Sequence, residues 1–101
     1  MSELIRFEKE GDVCTVFVAG EVDLSNSAEL RKTILGALKG ASHVIVNLSE
    51  VSYIDSSGIA ALVEGLQQAN SKNKQFSLTQ PSKQVRSILE LARLDQVFTI
   101  Q

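Results

Sequence analysis

The sequence predicts a single α/β domain built on a mixed, mostly parallel sheet, and three observations carry that prediction. Two β-rich runs stand close together at the start, separated only by the turn signal Glu10-Gly11-Asp12. After them, apolar stripes at helical spacing alternate with short, nearly continuous apolar runs. A chain of 101 residues has room for one core and not for two, so one domain spans residues 1–101. A hairpin followed by alternating helices and strands calls for parallel neighbours joined by right-handed crossovers, in the order β-β-α-β-α-β-α-β.

The elements follow in turn. Leu4 to Lys9 alternates imperfectly, with Leu4, Arg6 and Glu8 set against Ile5, Phe7 and Lys9, as an edge strand does. Val13 to Ala19 is richer in β-branched residues and pairs with it as a hairpin. Gly20-Glu21-Val22-Asp23 reads as leaving the sheet. Asn26, with Glu29 three residues on, fits a capping box in its Asn variant. Leu30, Ile34, Leu35 and Leu38 form one stripe, which predicts a helix from Ser27 to Lys39 with Gly40 as its stop.

His43 to Leu48 is short and nearly continuous in apolar residues, the pattern of a central strand covered on both faces. Ser49 to Ile54 reads as a loop leading to Asp55-Ser56-Ser57-Gly58. Ile59, Leu62, Val63 and Leu66 then give a second helix reaching Ser71, with Glu64 and Gln67 on its exposed side. Gln75 to Thr79 is a fourth strand, and Pro81, with its fixed φ, suits the first turn of a last helix. That helix carries the stripe Val85, Ile88, Leu89 and Ala92, and the apolar residues Leu94, Val97, Phe98 and Ile100 close the chain in a short strand. The stripes leave open whether the helices lie on one face of the sheet or on both.

Composition narrows the function. Apolar residues make up 44% and charged residues 22%, which is ordinary for a globular protein. Ten Lys and Arg are scattered among twelve Asp and Glu, for a net charge of −2, with only short clusters such as Arg31-Lys32. Such a surface disfavours nucleic-acid binding, which rests on neutralised phosphates, and disfavours a polybasic membrane anchor. The lone Cys14 sits inside the apolar second strand, rules out an intramolecular disulfide and reads as a small buried hydrophobe. Met1-Ser2-Glu3-Leu4 lacks the basic-then-apolar pattern of a signal peptide. No apolar run approaches the roughly 20 residues that cross a bilayer. A cytoplasmic protein without membrane insertion is the expectation.

Catalytic sets are missing from the pattern. His43, the single histidine, stands at the start of a strand, and nothing places it beside a serine. One His and one Cys cannot assemble a zinc site of the usual kind. Phosphate-binding and dinucleotide-binding glycine motifs are absent, as is the Gly-x-Ser-x-Gly elbow. Asp12, Asp23 and Asp55 stand in or beside loops, where carboxylates commonly form turns. Neither enzymatic activity nor a cofactor is expected.

The passage Asp55-Ser56-Ser57-Gly58 admits two readings. Asp and Ser are favoured helix caps, and Gly58 relaxes the turn. Equally, the unpaired N–H groups of a helix start tolerate a phosphate, and phosphorylation adds about −1.5 to −2 charges there without melting the fold.

Taken in order, several segments resemble the STAS family, and within it the bacterial anti-sigma-factor antagonists. These are Gly20-Glu21-Val22-Asp23, Ile45-Val46-Asn47-Leu48, Val51 to Ile59, Pro81-Ser82 and Leu94-Asp95-Gln96-Val97-Phe98. The resemblance spans nearly the whole chain and implies that Ser56 is the phosphorylated residue, flanked by Asp55, with Ser57 and Gly58 opening the helix. It places Asp23 on the same end of the sheet, and Asp23, Asp55, Ser57 and Gly58 on the partner-binding face. The implied partners are an anti-sigma factor that is also a serine kinase of the GHKL type, and a PP2C-like phosphatase. Unmodified, the domain would bind the kinase and release its target; phosphorylated, it would let go. The free domain is expected as a monomer. The ending at Ile100-Gln101 also resembles short STAS subunits of lipid-transport ABC complexes, the alternative function. Other family members direct partner switching to secretion or biofilm control.

Overall fold

The opening hairpin forms where its turn residues put it: Gly11 takes a positive φ of 61°, which a side chain would strain, between strands β1 (Ile5–Glu10) and β2 (Val13–Val22). The computed structural model describes residues 4–101. Met1-Ser2-Glu3, on which the reading of no signal peptide partly rests, lies outside the described residues. The chain continues as α1 (Ser27–Gly40), β3 (His43–Ile54), α2 (Ser56–Ser71), β4 (Gln75–Thr79), α3 (Lys83–Leu91), a 3₁₀ turn (Leu94–Gln96) and β5 (Thr99–Ile100). The sheet order is β1-β2-β3-β4-β5, with β1 antiparallel to β2 and the remaining pairs parallel. The β-β-α-β-α-β-α-β order and the mixed sheet are as expected.

Both central strands run longer than their sequence suggests. Gly20-Glu21-Val22 stays in the sheet, and the expected loop from Ser49 to Ile54 is the second half of β3. The two extensions pair with each other, Gly20 with Val51, Glu21 with Tyr53 and Val22 with Ile54, across two register shifts. Gly20, at φ 83°, supplies the bend that lets β2 rejoin its neighbour. Long-range pairing thus overrides a local breaker.

The expectation that β3 is covered on both faces is also corrected. Val44, Val46 and Leu48 are buried, whereas Ile45 and Asn47 between them are half-exposed. The buried set shares a face with Cys14, Val16 and Val18 of β2 and with Phe76 and Leu78 of β4. Strand order advances in one direction from β2 to β4, so right-handed crossovers carry α1 and α2 to that same face. Thr15, Phe17, Ile45 and Asn47 line the opposite, open face.

Helix ends and helix contacts differ in detail from the expected pattern. Asn26 precedes α1 but makes no capping box: its Oδ1 accepts from the Asp23 amide (3.0 Å) and its Nδ2 donates to the Glu21 carbonyl (2.8 Å). Gly40 is the last residue of α1, not its stop. In α2 the innermost positions are small: Gly58, Ala61, Gly65 and Ala69 are buried with Leu62, while Ile59, Val63 and Leu66 are half-buried. A Cβ at Gly65 would stand 2.7 Å from Ile34 Cγ2, so the missing side chain is what lets α2 approach α1. Glu64 is half-buried, because it accepts a hydrogen bond from Arg31 of α1 at 2.8 Å. Pro81 lies ahead of α3 and outside its first turn; Ser82 is the cap and accepts from the Val85 amide. The Ser82 hydroxyl donates to the Val51 carbonyl at 2.5 Å, tying α3 to β3. Val85 and Leu89 are buried, Ala92 and Val97 are exposed, and Phe98 is buried with its ring 6.3 Å from Phe76. Burial pushes the Cys14 thiol pKa up, with Lys9 opposing, as suits a packing residue.

Candidate functional site

The site is built where β3 hands over to α2. Asp55 is extended (φ −96°, ψ −175°) and caps the helix. Its Oδ1 accepts from the Ser57 amide (2.9 Å), the Gly58 amide (3.1 Å) and the Ser57 hydroxyl (2.6 Å). The Ser57 hydroxyl, then the Gly58 amide, hold the Asp55 carboxyl below its ordinary pKa. Ser57 is half-buried and committed to this turn. Ser56, the first residue of the helix, is exposed, and its hydroxyl makes no hydrogen bond among the described residues. The two adjacent serines are therefore chemically unlike: one is a structural donor, the other a free alcohol at a helix N-terminus.

Gly58 is buried, and its role is steric. A Cβ there would stand 2.6 Å from both Ile54 Cγ1 and Val22 Cγ1, two buried side chains with nowhere to go. Gly58→Ala should cost about 1–3 kcal/mol by overpacking. At exposed Gly36, where an added Cβ meets nothing within 4 Å, the same change should stabilise the helix by roughly 0.5–1 kcal/mol. Urea melts of the two variants, moving in opposite directions, check the assignment.

The Asp55 cap carries a pH signature. Its folded-state pKa is depressed, so its contribution to stability is present above the ordinary carboxyl value and is lost as pH falls through the lowered native value. Asp55→Asn keeps an amide-capable cap without the charge. In urea midpoints followed from neutral to acid, it should flatten part of the acid limb seen in the wild type.

Asp23 is brought to the same end of the sheet. The Val22 carbonyl accepts from the Asp55 amide at 3.0 Å, which puts the two aspartates on neighbouring strand ends. Asp23 Oδ1 accepts from the Ser25 amide (2.9 Å) and the Ser25 hydroxyl (2.5 Å), the same turn that Asp55 makes with Ser57. Asn47 repeats it with Ser49, at 2.9 and 2.7 Å. The sequence signal for all three is Asp or Asn two residues before Ser, a pattern the reading of isolated carboxylates overlooks. Also missed are the apolar surroundings. Leu24 is 81% exposed in the Asp23 loop, and Tyr53 is 48% exposed beside Asp55. A shallow groove of about 340 Å³ adjoins Ser56, lined by Tyr53, Ile54, Ile59, Ile88 and Ala92. The sequence pattern reads Leu24 and Tyr53 as loop residues and Ile59, Ile88 and Ala92 as helix-stripe positions, and marks none of them as surface.

The profile of the family described as "Mlab, STAS domain" matches residues 5–100, nearly the entire chain. The chain belongs to the STAS family. Among STAS relatives it is 32% identical over 88 residues to the intermembrane phospholipid transport system binding protein MlaB of Haemophilus influenzae, covering 83% of this chain and 84% of that one. It is 28% identical over 90 residues to the anti-sigma-B factor antagonist of Staphylococcus epidermidis, covering 88% and 83%. Its fold matches the anti-sigma factor antagonist SpoIIAA in its unphosphorylated form and the Bacillus cell fate determinant SpoIIAA in its phosphorylated form. The unphosphorylated form superposes with a TM-score of 0.82 at 20% identity, over 96% of this chain and 87% of SpoIIAA. The phosphorylated form gives 0.76 at 19%, over 96% and 90%. At these identities the likeness to SpoIIAA is one of fold. In this STAS domain Ser56 stands at the start of α2 with the Asp23 loop at the same end of the sheet.

Proposed function

We propose that this STAS domain is a phosphorylation-controlled partner switch, and that Ser56 is the residue modified. The observation that carries this reading is the difference between the two serines, Ser57 bonded to Asp55 and Ser56 exposed with an uncommitted hydroxyl. A kinase needs an accessible hydroxyl. Because Asp55 already takes the Ser57 and Gly58 amides, a phosphate on Ser56 displaces no cap and projects outward. The modification then alters the surface by about −1.5 to −2 charges while the helix stays formed. The unmodified surface, with Ser56, Leu24, Tyr53 and the groove, binds an anti-sigma factor that is a GHKL-type serine kinase, and the captive target is released. Phosphorylation of Ser56 ends that complex, and a PP2C-like phosphatase restores it. Relatives named as anti-sigma-B factor antagonists support this class of partner.

A second reading rests on the MlaB-type profile and the 32% identical MlaB relative: a regulatory subunit docked on a lipid-transport ABC complex. Capture from a lysate of the native host, using wild type, Ser56→Ala and Ser56→Asp as baits, separates the two. Partner switching predicts a kinase retained by wild type and Ser56→Ala and weakened by Ser56→Asp. Capture of a transporter ATPase equally by all three baits would favour the second reading and contradict the first.

A further inference from the structure

At the opposite margin of the sheet the described residues leave an edge uncovered. β1 is the outermost strand, and the helix layer stops short of it, so Phe7 is 64% exposed. A trough of about 290 Å³ lies between β1 and α1, with Phe7, Lys9, Cys14, Thr33, Ala37 and Gly40 among its lining. The backbone register says which groups of β1 point away from the sheet. The Ala19 amide bonds the Leu4 carbonyl, and Ile5 stands opposite Val18. Alternation in an antiparallel ladder then directs Arg6, Glu8 and Glu10 to β2 and turns the N–H and C=O of Ile5, Phe7 and Lys9 outward.

We propose that this edge receives β1 of a second copy of the chain, running antiparallel, with the two-fold axis at Phe7. In that register Phe7 faces Phe7, Ile5 faces Lys9, and every outward backbone group of the three residues finds a partner. On the open face, Arg6 of each copy meets Glu8 of the other. One register step to either side sets Arg6 against Arg6 or Glu8 against Glu8, and centring on Lys9 sets two lysines together. Edge charges ordinarily guard a strand against pairing. Here they oppose the neighbouring registers and favour one, which is the self-complementarity an isologous contact needs. Arg6 already bonds Glu8 of its own strand at 3.0 Å and lies over the Phe17 ring at 4.2 Å, so both charges are held on that face. On the other face, the paired Phe7 rings cover the mouth of the trough. This departs from the free monomer expected from the sequence, whose imperfect alternation in β1 hides the pairing, and it does not involve Ser56.

Sedimentation equilibrium over a concentration series tests it. The wild type should approach twice the mass of one chain. Arg6→Glu and Glu8→Arg, at side chains 62% and 68% exposed, should keep the wild-type circular dichroism and a cooperative melt, lowered by only a few degrees as the association weakens. Each should weaken self-association roughly tenfold or more, because both crossings turn repulsive. An equimolar mixture of R6E and E8R should recover the two-chain mass, since opposite charges then meet at both crossings. A wild type that stays a single chain throughout leaves the edge to a strand of some other protein and overturns the proposal. So does self-association that survives either single variant, or a mixture that fails to associate.

Discussion

Val46→Asp should leave the protein largely unfolded, while Ile45→Asp, one residue earlier, should fold. Val46 is fully buried between β2 and β4, opposite Val16 and Leu78 and beneath the helices. A carboxylate there loses its hydration without gaining a partner, and the apolar contacts of the valine are lost as well. A cost of about 4 kcal/mol or more is expected. That is a large share of the roughly 5–15 kcal/mol that holds a domain of this size together. The melting temperature should fall by about 20 °C or more, if a folded transition survives at all. Ile45 lies on the open face and is half-exposed, so its aspartate keeps contact with water. It should cost on the order of 1 kcal/mol. Thermal melts by circular dichroism decide the matter, and equal losses at the two positions would contradict a sheet covered on one face.

The second large effect concerns binding. Ser56→Ala should hold the protein in its kinase-binding state and abolish modification. Ser56→Asp should weaken the complex by roughly tenfold to a hundredfold, because a carboxylate buried in an interface shaped for a hydroxyl costs about 1–3 kcal/mol. The phosphate itself should do more, carrying −1.5 to −2 charges where the mimic carries about one. Neither substitution touches the cap, since Asp55 bonds Ser57 and Gly58 and leaves the Ser56 side chain unpaired. Both variants should therefore melt close to the wild type, and calorimetric titration with the kinase should separate them where melting does not.

Much of this was legible from local pattern. The hairpin turn at Gly11, the stripe Leu30-Ile34-Leu38 and the β-branched run from Val13 to Ala19 each encode their element over a few residues. What escaped reading depends on neighbours distant in sequence. β2 continues through Gly20 only because β3 offers residues 51–54 to pair with it. The single covered face of β3 follows from the direction of successive crossovers, which no stripe records. The close approach of α2 is made by Gly58 and Gly65, residues whose contribution is the absence of a side chain and which an apolar count passes over. At the site, order alone put Asp55, Ser56 and Ser57 at a helix start. The division of labour between the serines is a matter of rotamer and hydrogen bonding, and it emerges only in three dimensions.

That division of labour is the central claim, and phosphosite mapping tests it most directly. The protein is incubated with its cognate kinase and ATP, digested, and sequenced by tandem mass spectrometry. The expected result is one phosphate per chain on Ser56, absent from Ser56→Ala and retained in Ser57→Ala. Phosphate found on Ser57 or Ser52 in place of Ser56, or none at all with a kinase shown to bind, would contradict it.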